Sequence, residues 1–252
     1  MAMAQCAGAA RRTRCAGVAR GRRMVENRGR MNATVRPIGR LLMALLALPC
    51  GAGAAEAGTA PPAVWAIDNV QQIGGYAPVV LGAPAPDGGG LRFNGTDDGL
   101  ILPVNPIAGC AAYTIEVLFE PAPGGAAAQR FLHIEDEQRN RTLMEIRMEP
   151  DGRWCLDTFL LSGATRLTLI DRSRLHAAGR RYWVALRCDG RRMAHFVDGV
   201  KELDEAVGFT PFAPGRMALG VRLTRESWFK GVIREVRIHP AALADAELQR
   251  MP

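Results

Sequence analysis

The chain has 252 residues, enough for one large β-sandwich or for two small domains. Its formal charge is +7, but residues 1–54 hold ten of the 32 Lys and Arg and one of the 25 Asp and Glu. The remainder has a slight acidic excess, so a broad basic face for nucleic acid is not expected there.

Residues 1–30 are rich in Arg and Ala and read as an extension from a misassigned start, with Met31 the more ordinary one. Residues 31–57 carry the parts of a signal peptide. Arg36 and Arg40 form a positive region, and residues 41–48 are an uninterrupted apolar run. Ala52-Gly53-Ala54 and Ala55-Glu56-Ala57 both offer small-x-small cleavage sites. The apolar run is shorter than the roughly 20 residues a spanning helix needs. The expectation is export to the periplasm or the outside, with membrane contact only through the signal; a short anchor is the alternative. Lipidation at Cys50 is disfavoured because Pro49 precedes it. Cleavage would remove Cys6, Cys15 and Cys50. Cys110, Cys155 and Cys188 cannot all pair, and without a Cys-x-x-Cys spacing they read as small buried thiols.

Residues 58–63 read as a linker and residues 64–252 as one domain. Strand-like runs fall at 91–93, 100–104, 113–120, 130–134, 142–148, 154–161, 166–170, 182–188, 193–197, 217–221 and 231–239. Turn signals such as Asn94-Gly95, Asp151-Gly152, Asp189-Gly190 and Asp198-Gly199 divide them. Ile115, Val117 and Phe119 alternate with Thr114, Glu116 and Glu120; Met144, Ile146 and Met148 alternate with Glu145, Arg147 and Glu149. Each strand is thus expected to bury one face and wet the other. Only residues 241–250 read as a helix. The expected fold is all-β: a two-sheet antiparallel jelly-roll sandwich with a short C-terminal helix. Lys201 and Lys230 are the only lysines, and the excess of Arg over Lys reads as coding bias with no function attached.

Four segments in order carry a family resemblance. They are residues 91–98 (Leu91 through Asn94-Gly95 to Asp97-Asp98), the strand 113–119, the hairpin from Tyr182-Trp183 to Asp198-Gly199, and residues 229–243. They resemble the bacterial laminin G-like, concanavalin A-like domains. Asn94, Phe119 and Arg234 depart mildly from the family pattern. The resemblance implies a jelly roll that binds a glycan or an extracellular protein surface, and calcium at rim loops.

Asp97 and Asp98 match the family's acidic loop, and Glu135 and Asp136 begin a second acidic cluster that ends at Glu137. Calcium takes roughly six to eight oxygens, which such loops can supply. The competing reading of Asp97 and Asp98 is turn chemistry, in which the carboxylates bond nearby backbone. Sugar binding asks for exposed aromatic platforms. The candidates are Trp228, Phe229, Trp154 and Trp65, whereas Trp183 reads as core.

Catalytic constellations are sparse. Glu145-Ile146-Arg147-Met148-Glu149 has the spacing of a strand-borne glycosidase pair, but a central Arg would lower both carboxyl pKa values where an acid needs one raised. The three serines lie in no nucleophile motif, and His133, His176, His195 and His239 have no metal-pair spacing. His195, within an apolar strand, reads as a hydrogen-bonded core residue. The leading expectation is a non-catalytic binding module. The alternatives are an assembly protein pairing through its sandwich and a glycoside hydrolase.

Overall fold

The computed structural model describes residues 61–252; the segments expected to be an extension and a signal peptide, and the start of the expected linker, lie outside the described residues. Period-two alternation broken by tight turns commits the rest to strands. In the first half these are β1 (Ala63–Ala66), β2 (Val79–Leu81), β3 (Ala85–Pro86), β4 (Leu91–Asn94), β5 (Gly99–Leu102), β6 (Tyr113–Pro121), β7 (Ala128–Asp136) and β8 (Arg141–Met148). In the second half they are β9 (Arg153–Ser162), β10 (Thr165–Ile170), β11 (His176–Ala177), β12 (Tyr182–Cys188), β13 (Arg192–Val197), β14 (Val200–Ala206), β15 (Gly215–Leu219) and β16 (Lys230–His239).

They pair into two antiparallel sheets of eight strands. The first runs β14-β13-β12-β6-β16-β4-β3, with β1 also on β16. The second runs β10-β9-β8-β7-β15-β5-β2, with β11 on β9. This is the expected jelly-roll sandwich. Its core lies between the sheets. Phe119 of β6 stacks on Phe131 of β7 at 4.6 Å, and Trp154 of β9 meets Phe119 edge-on at 5.3 Å. Each such ring, fully buried, contributes about 1.5–3 kcal/mol. Polar contacts also join the two sheets: Thr158 Oγ1 of β9 lies 3.0 Å from His195 Nδ1 of β13, both buried, and the Tyr182 hydroxyl of β12 donates to Ala177 O of β11 at 2.8 Å.

A bulge in β7 between Arg130 and Leu132 breaks strict alternation. It lets Phe131 and Leu132 both face the core while Arg130 and His133 stay on the outer side. Gly220 ends β15 with φ 75°, and a side chain there would meet the Phe93 ring at 2.2 Å. Only glycine lets the chain turn so close to the core as it enters the loop before β16.

The expected helix over 241–250 does not form; one 3-10 turn, Asp245–Glu247, stands in its place. The first sheet takes the backbone groups a helix would have paired. Thr114 Oγ1 donates to Ala241 O and accepts from Leu243 N–H, Arg187 donates to Leu243 O, and Glu116 accepts from Gln249 N–H at 2.7 Å. Leu248 and Leu243 pack on Ala185, Ala194 and Phe196, so the tail lies across the outer face of that sheet. Cys110, Cys155 and Cys188 are free thiols.

Candidate functional site

Antiparallel register sorts the outward side chains of β7 to β10 into rows. Arg130 stands opposite Glu145, and Glu145 opposite Asp157. The next row is His133, Leu143, Phe159 and Thr168, and the next Glu135, Arg141, Leu161 and Arg166. The loop between β15 and β16 closes one side. Leu223 N–H donates to His133 Nδ1 at 3.0 Å, and Arg130 donates to both the backbone and the hydroxyl of Ser227. Arg225 and Ser227 hold φ of 61° and 56°, a left-handed conformation uncommon outside glycine and frequent where a loop carries function. Rows and loop surround a shallow depression of about 270 Å³, and Arg130, Arg141, Arg147, Arg166 and Arg222 all line it.

Two carboxylates stand among these five arginines, and both are buried. Arg147 Nη2 lies 2.9 Å from Glu145 and 2.6 Å from Asp157, and Arg130 Nε lies 2.7 Å from Glu145. Burial pushes both carboxyl pKa values up, against the pull of Arg130 and Arg147. One guanidinium therefore bridges the pair and holds it in place. Glu149, the other end of the glycosidase-like spacing, leaves the strand and pairs with Arg172 at 2.6 Å.

Positive charge is concentrated along the other rows. His133 is 1% exposed, and burial, then Arg222, Arg141 and Arg130, push its pKa down to about 3. Its ring is neutral, and because Nδ1 accepts from Leu223, the proton sits on Nε2. That Nε2 has no hydrogen-bond partner, and neither has the buried Nε of Arg141 or of Arg222. Arg141 is pushed below its ordinary range by burial; Glu135 opposes this, while Arg222, Arg139 and Arg166 add to it. Arg166 makes no ion pair among the described residues. Such a face suits an anion approaching from solvent.

The aromatic candidates lie elsewhere. Trp154 is fully buried between the sheets, where its N–H donates to Ala177 O at 3.3 Å. Phe229 is buried against Phe93, Phe119 and Phe131, and Trp65 is buried over Gly74. None of these three offers a ring to a ligand, because the closing sandwich needed their area for its core. Trp228 stays partly exposed in the loop before β16, beside Gly99. The partly exposed ring on the site itself is Phe159, with Arg141 over it at 5.4 Å.

The acidic candidates are engaged by amide donors. Asp98 accepts from Ala83 N–H at 2.7 Å and Asn94 N–H at 2.9 Å, and Asp97 accepts from the Asn94 side chain at 2.7 Å. Asp136 takes four bonds, from Gln138 N–H, from the backbone and side chain of Asn140, and from Ala213 N–H. Glu135 faces Arg139, Arg141 and His133. Among the described residues, no three His, Cys, Asp or Glu side chains converge as a metal site. Asp98 and Asp136 thus hold their turns together, the turn chemistry that competes with calcium at such loops.

Sequence reasoning caught Glu145 and Arg147 as one polar face and missed the rest. Arg130, Asp157, Phe159, Arg166 and Arg222 come from three other strands and a loop, and no local pattern links them.

No curated protein is similar enough in sequence to match the chain. Among solved structures, it resembles the receptor binding domain of botulinum neurotoxin D at 12% identity and TM-score 0.53, covering 74% of this chain and 50% of that one. It resembles Trypanosoma rangeli sialidase at 13% identity and TM-score 0.54, covering 74% and 31%. The CBM40 of Ruminococcus gnavus IT-sialidase matches at 17% identity and TM-score 0.51, covering 64% and 94%. The chain thus spans half or less of the first two, and at these identities the likeness is one of fold. A family model described as the concanavalin A-like lectin/glucanases superfamily matches residues 94–249. With that match over more than half its length, and the jelly roll it folds into, the chain belongs to the concanavalin A-like lectin/glucanase superfamily.

Proposed function

We propose that this protein is an exported, non-catalytic binding module that takes a glycan on the outer face of its second sheet. The observation that carries the reading is the open depression over β7 to β10. It is built on rigid strands, with polar groups placed by register and a partly exposed Phe159 ring among them. A hydrolase would use a free carboxylic acid and a free carboxylate. Here Arg147 engages both Glu145 and Asp157, so neither is free to serve. Export rests on the signal peptide alone, and the neighbours' names, a receptor binding domain and a sialidase's CBM40, accord with a binder.

The assembly reading has exposed valines on two edge strands behind it, Val79 and Val80 on β2 and Val200 on β14. β2 is three residues long and β14 carries Lys201, Glu202, Asp204 and Glu205, and short or charged edge strands are how sandwiches avoid pairing. A glycan array probed with the wild type and with Arg147→Ala tests the proposal. Wild-type retention on specific glycans, reduced in the variant, is expected. Retention that the variant leaves intact, or glycan hydrolysis abolished by Glu145→Gln, would overturn it.

A further inference from the structure

We infer that the glycan held on this face is acidic, and that its carboxylate or sulfate group sits against Arg141, Arg166 and Arg222. This rests on the glycan-binding reading above and names the ligand class it leaves open.

The argument begins with charge. Five arginines line the depression against two carboxylates, and Arg130 and Arg147 take up both of those carboxylates. Arg141, Arg166 and Arg222 remain. Among the described residues Arg141 has one ion-pair partner, Glu135 at 4.0 Å, and donates to Arg139 O at 3.2 Å, while Arg222 pairs with the exposed Glu226 at 2.6 Å. Arg166 has no ion pair among the described residues. The register places Arg141 and Arg166 in one row, flanking Leu161, and Arg222 of the loop lines the same depression. Like charges crowded on a partly desolvated face repel one another, and an oxyanion among them relieves that cost.

The second observation is the set of unpartnered donors. The Nε groups of Arg141 and Arg222 and the Nε2 of His133, whose side chain is 1% exposed, are buried with no acceptor. A buried donor left unpaired is destabilising, so three on one face mark a place that an acceptor would stabilise. Among the described residues His133 Nε2 has no hydrogen-bond partner, and Glu135 Oε2 stands 3.8 Å from it. Planar guanidinium groups match both carboxylate and sulfate oxygens.

The patch is local. The chain beyond its leader has no basic excess, so a long polyanion such as nucleic acid finds no continued track. Leu143 and Phe159, in the same row as His133, give a sugar ring an apolar floor next to the charge.

Isothermal titration calorimetry on the full chain tests this with three probes of matched length. Oligogalacturonate carries carboxylates, a dextran sulfate oligomer carries sulfates, and dextran is neutral. At least one charged probe should bind and dextran should not; whichever charged probe binds identifies the acid group. Arg166→Ala, at an exposed position, should weaken binding about tenfold with an unchanged melting temperature. Arg250→Ala, which removes the same charge from the tail, should leave binding unaltered. Dextran binding as tightly as the charged probes would overturn the acidic ligand and leave the glycan reading standing. Charged-probe binding that falls equally in Arg166→Ala and Arg250→Ala would reduce the effect to net charge and overturn it too. If neither charged probe binds, the acidic ligand is overturned, and the glycan array alone decides the glycan reading.

Discussion

The two outer faces of the sandwich start from the same alternating pattern and end differently. On the first sheet, Thr114, Glu116 and Arg187 point outward and are met by the chain's own tail, and Arg237 lies over Trp183 at 4.9 Å and pairs with Glu235. On the second sheet the loop before β16 reaches one side of the polar face, and the arginines outnumber their partners. A polar sheet face becomes structural when the chain covers it and receptive when it is left uncovered with charge in excess. Covering the first face also explains why the tail is extended, because its backbone bonds to the sheet instead of to itself.

The largest way to probe this contrast is acid. His133 on the open face and His195 in the core both have pKa values pushed to about 3, chiefly by burial. Between pH 6.5 and 3 the unfolded chain binds protons that the folded chain refuses. The stability these groups supply is therefore present above about pH 6.5 and lost as pH falls toward 3. The expected slope is about 1.4 kcal/mol per pH unit for each histidine. His133→Asn keeps an acceptor for Leu223 N–H and removes one titration, so chemical denaturation across this window should show about half the histidine-linked slope. An unaltered slope would mean that the open face does not hold His133 neutral.

Next comes the covered face. Glu116 is 1% exposed and accepts from Gln249 N–H at 2.7 Å and His239 Nε2 at 2.9 Å. Glu116→Ala should cost about 2–4 kcal/mol in urea unfolding and open the tail to protease, with glycan binding retained. Tail protection equal to wild type would show that the Thr114 and Arg187 bonds and the packing of Leu248 hold it without Glu116.

The smallest effect concerns the rim. Asp98→Ala leaves the Ala83 and Asn94 amides without their acceptor and should cost about 1–3 kcal/mol. Millimolar calcium should not shift the melting temperature of the wild type. A calcium-dependent rise of a few degrees, lost in Asp98→Ala, would make the rim a metal site and move attention away from the open face.

Much of the fold was legible because strand formation is local. All eleven expected runs are strands, since alternation and turn residues act over a few positions. The added strands are β14, whose Lys, Glu and Asp side chains suit an exposed edge, and the short β1, β2, β3 and β11, which pair only because a neighbour presents an edge. The helix over 241–250 failed for the opposite reason: its local propensity was outweighed by partners more than a hundred residues away. The same distance hid the site. Trp154 and Phe229 looked available as platforms and went to the core, while Arg130, Asp157, Phe159, Arg166 and Arg222 looked like scattered surface residues and came together.

The sequence alone determined the strands, which side of each faces the core, and hence that two sheets must pack face to face, because apolar area has to leave water wherever alternation places it. It also held the arginines, which composition made look like coding bias. Only the tertiary structure decided which polar face the tail would cover and which would keep unpaired charge. That choice depends on register between strands far apart in the chain and on a tail whose backbone found acceptors and donors on one sheet and not the other.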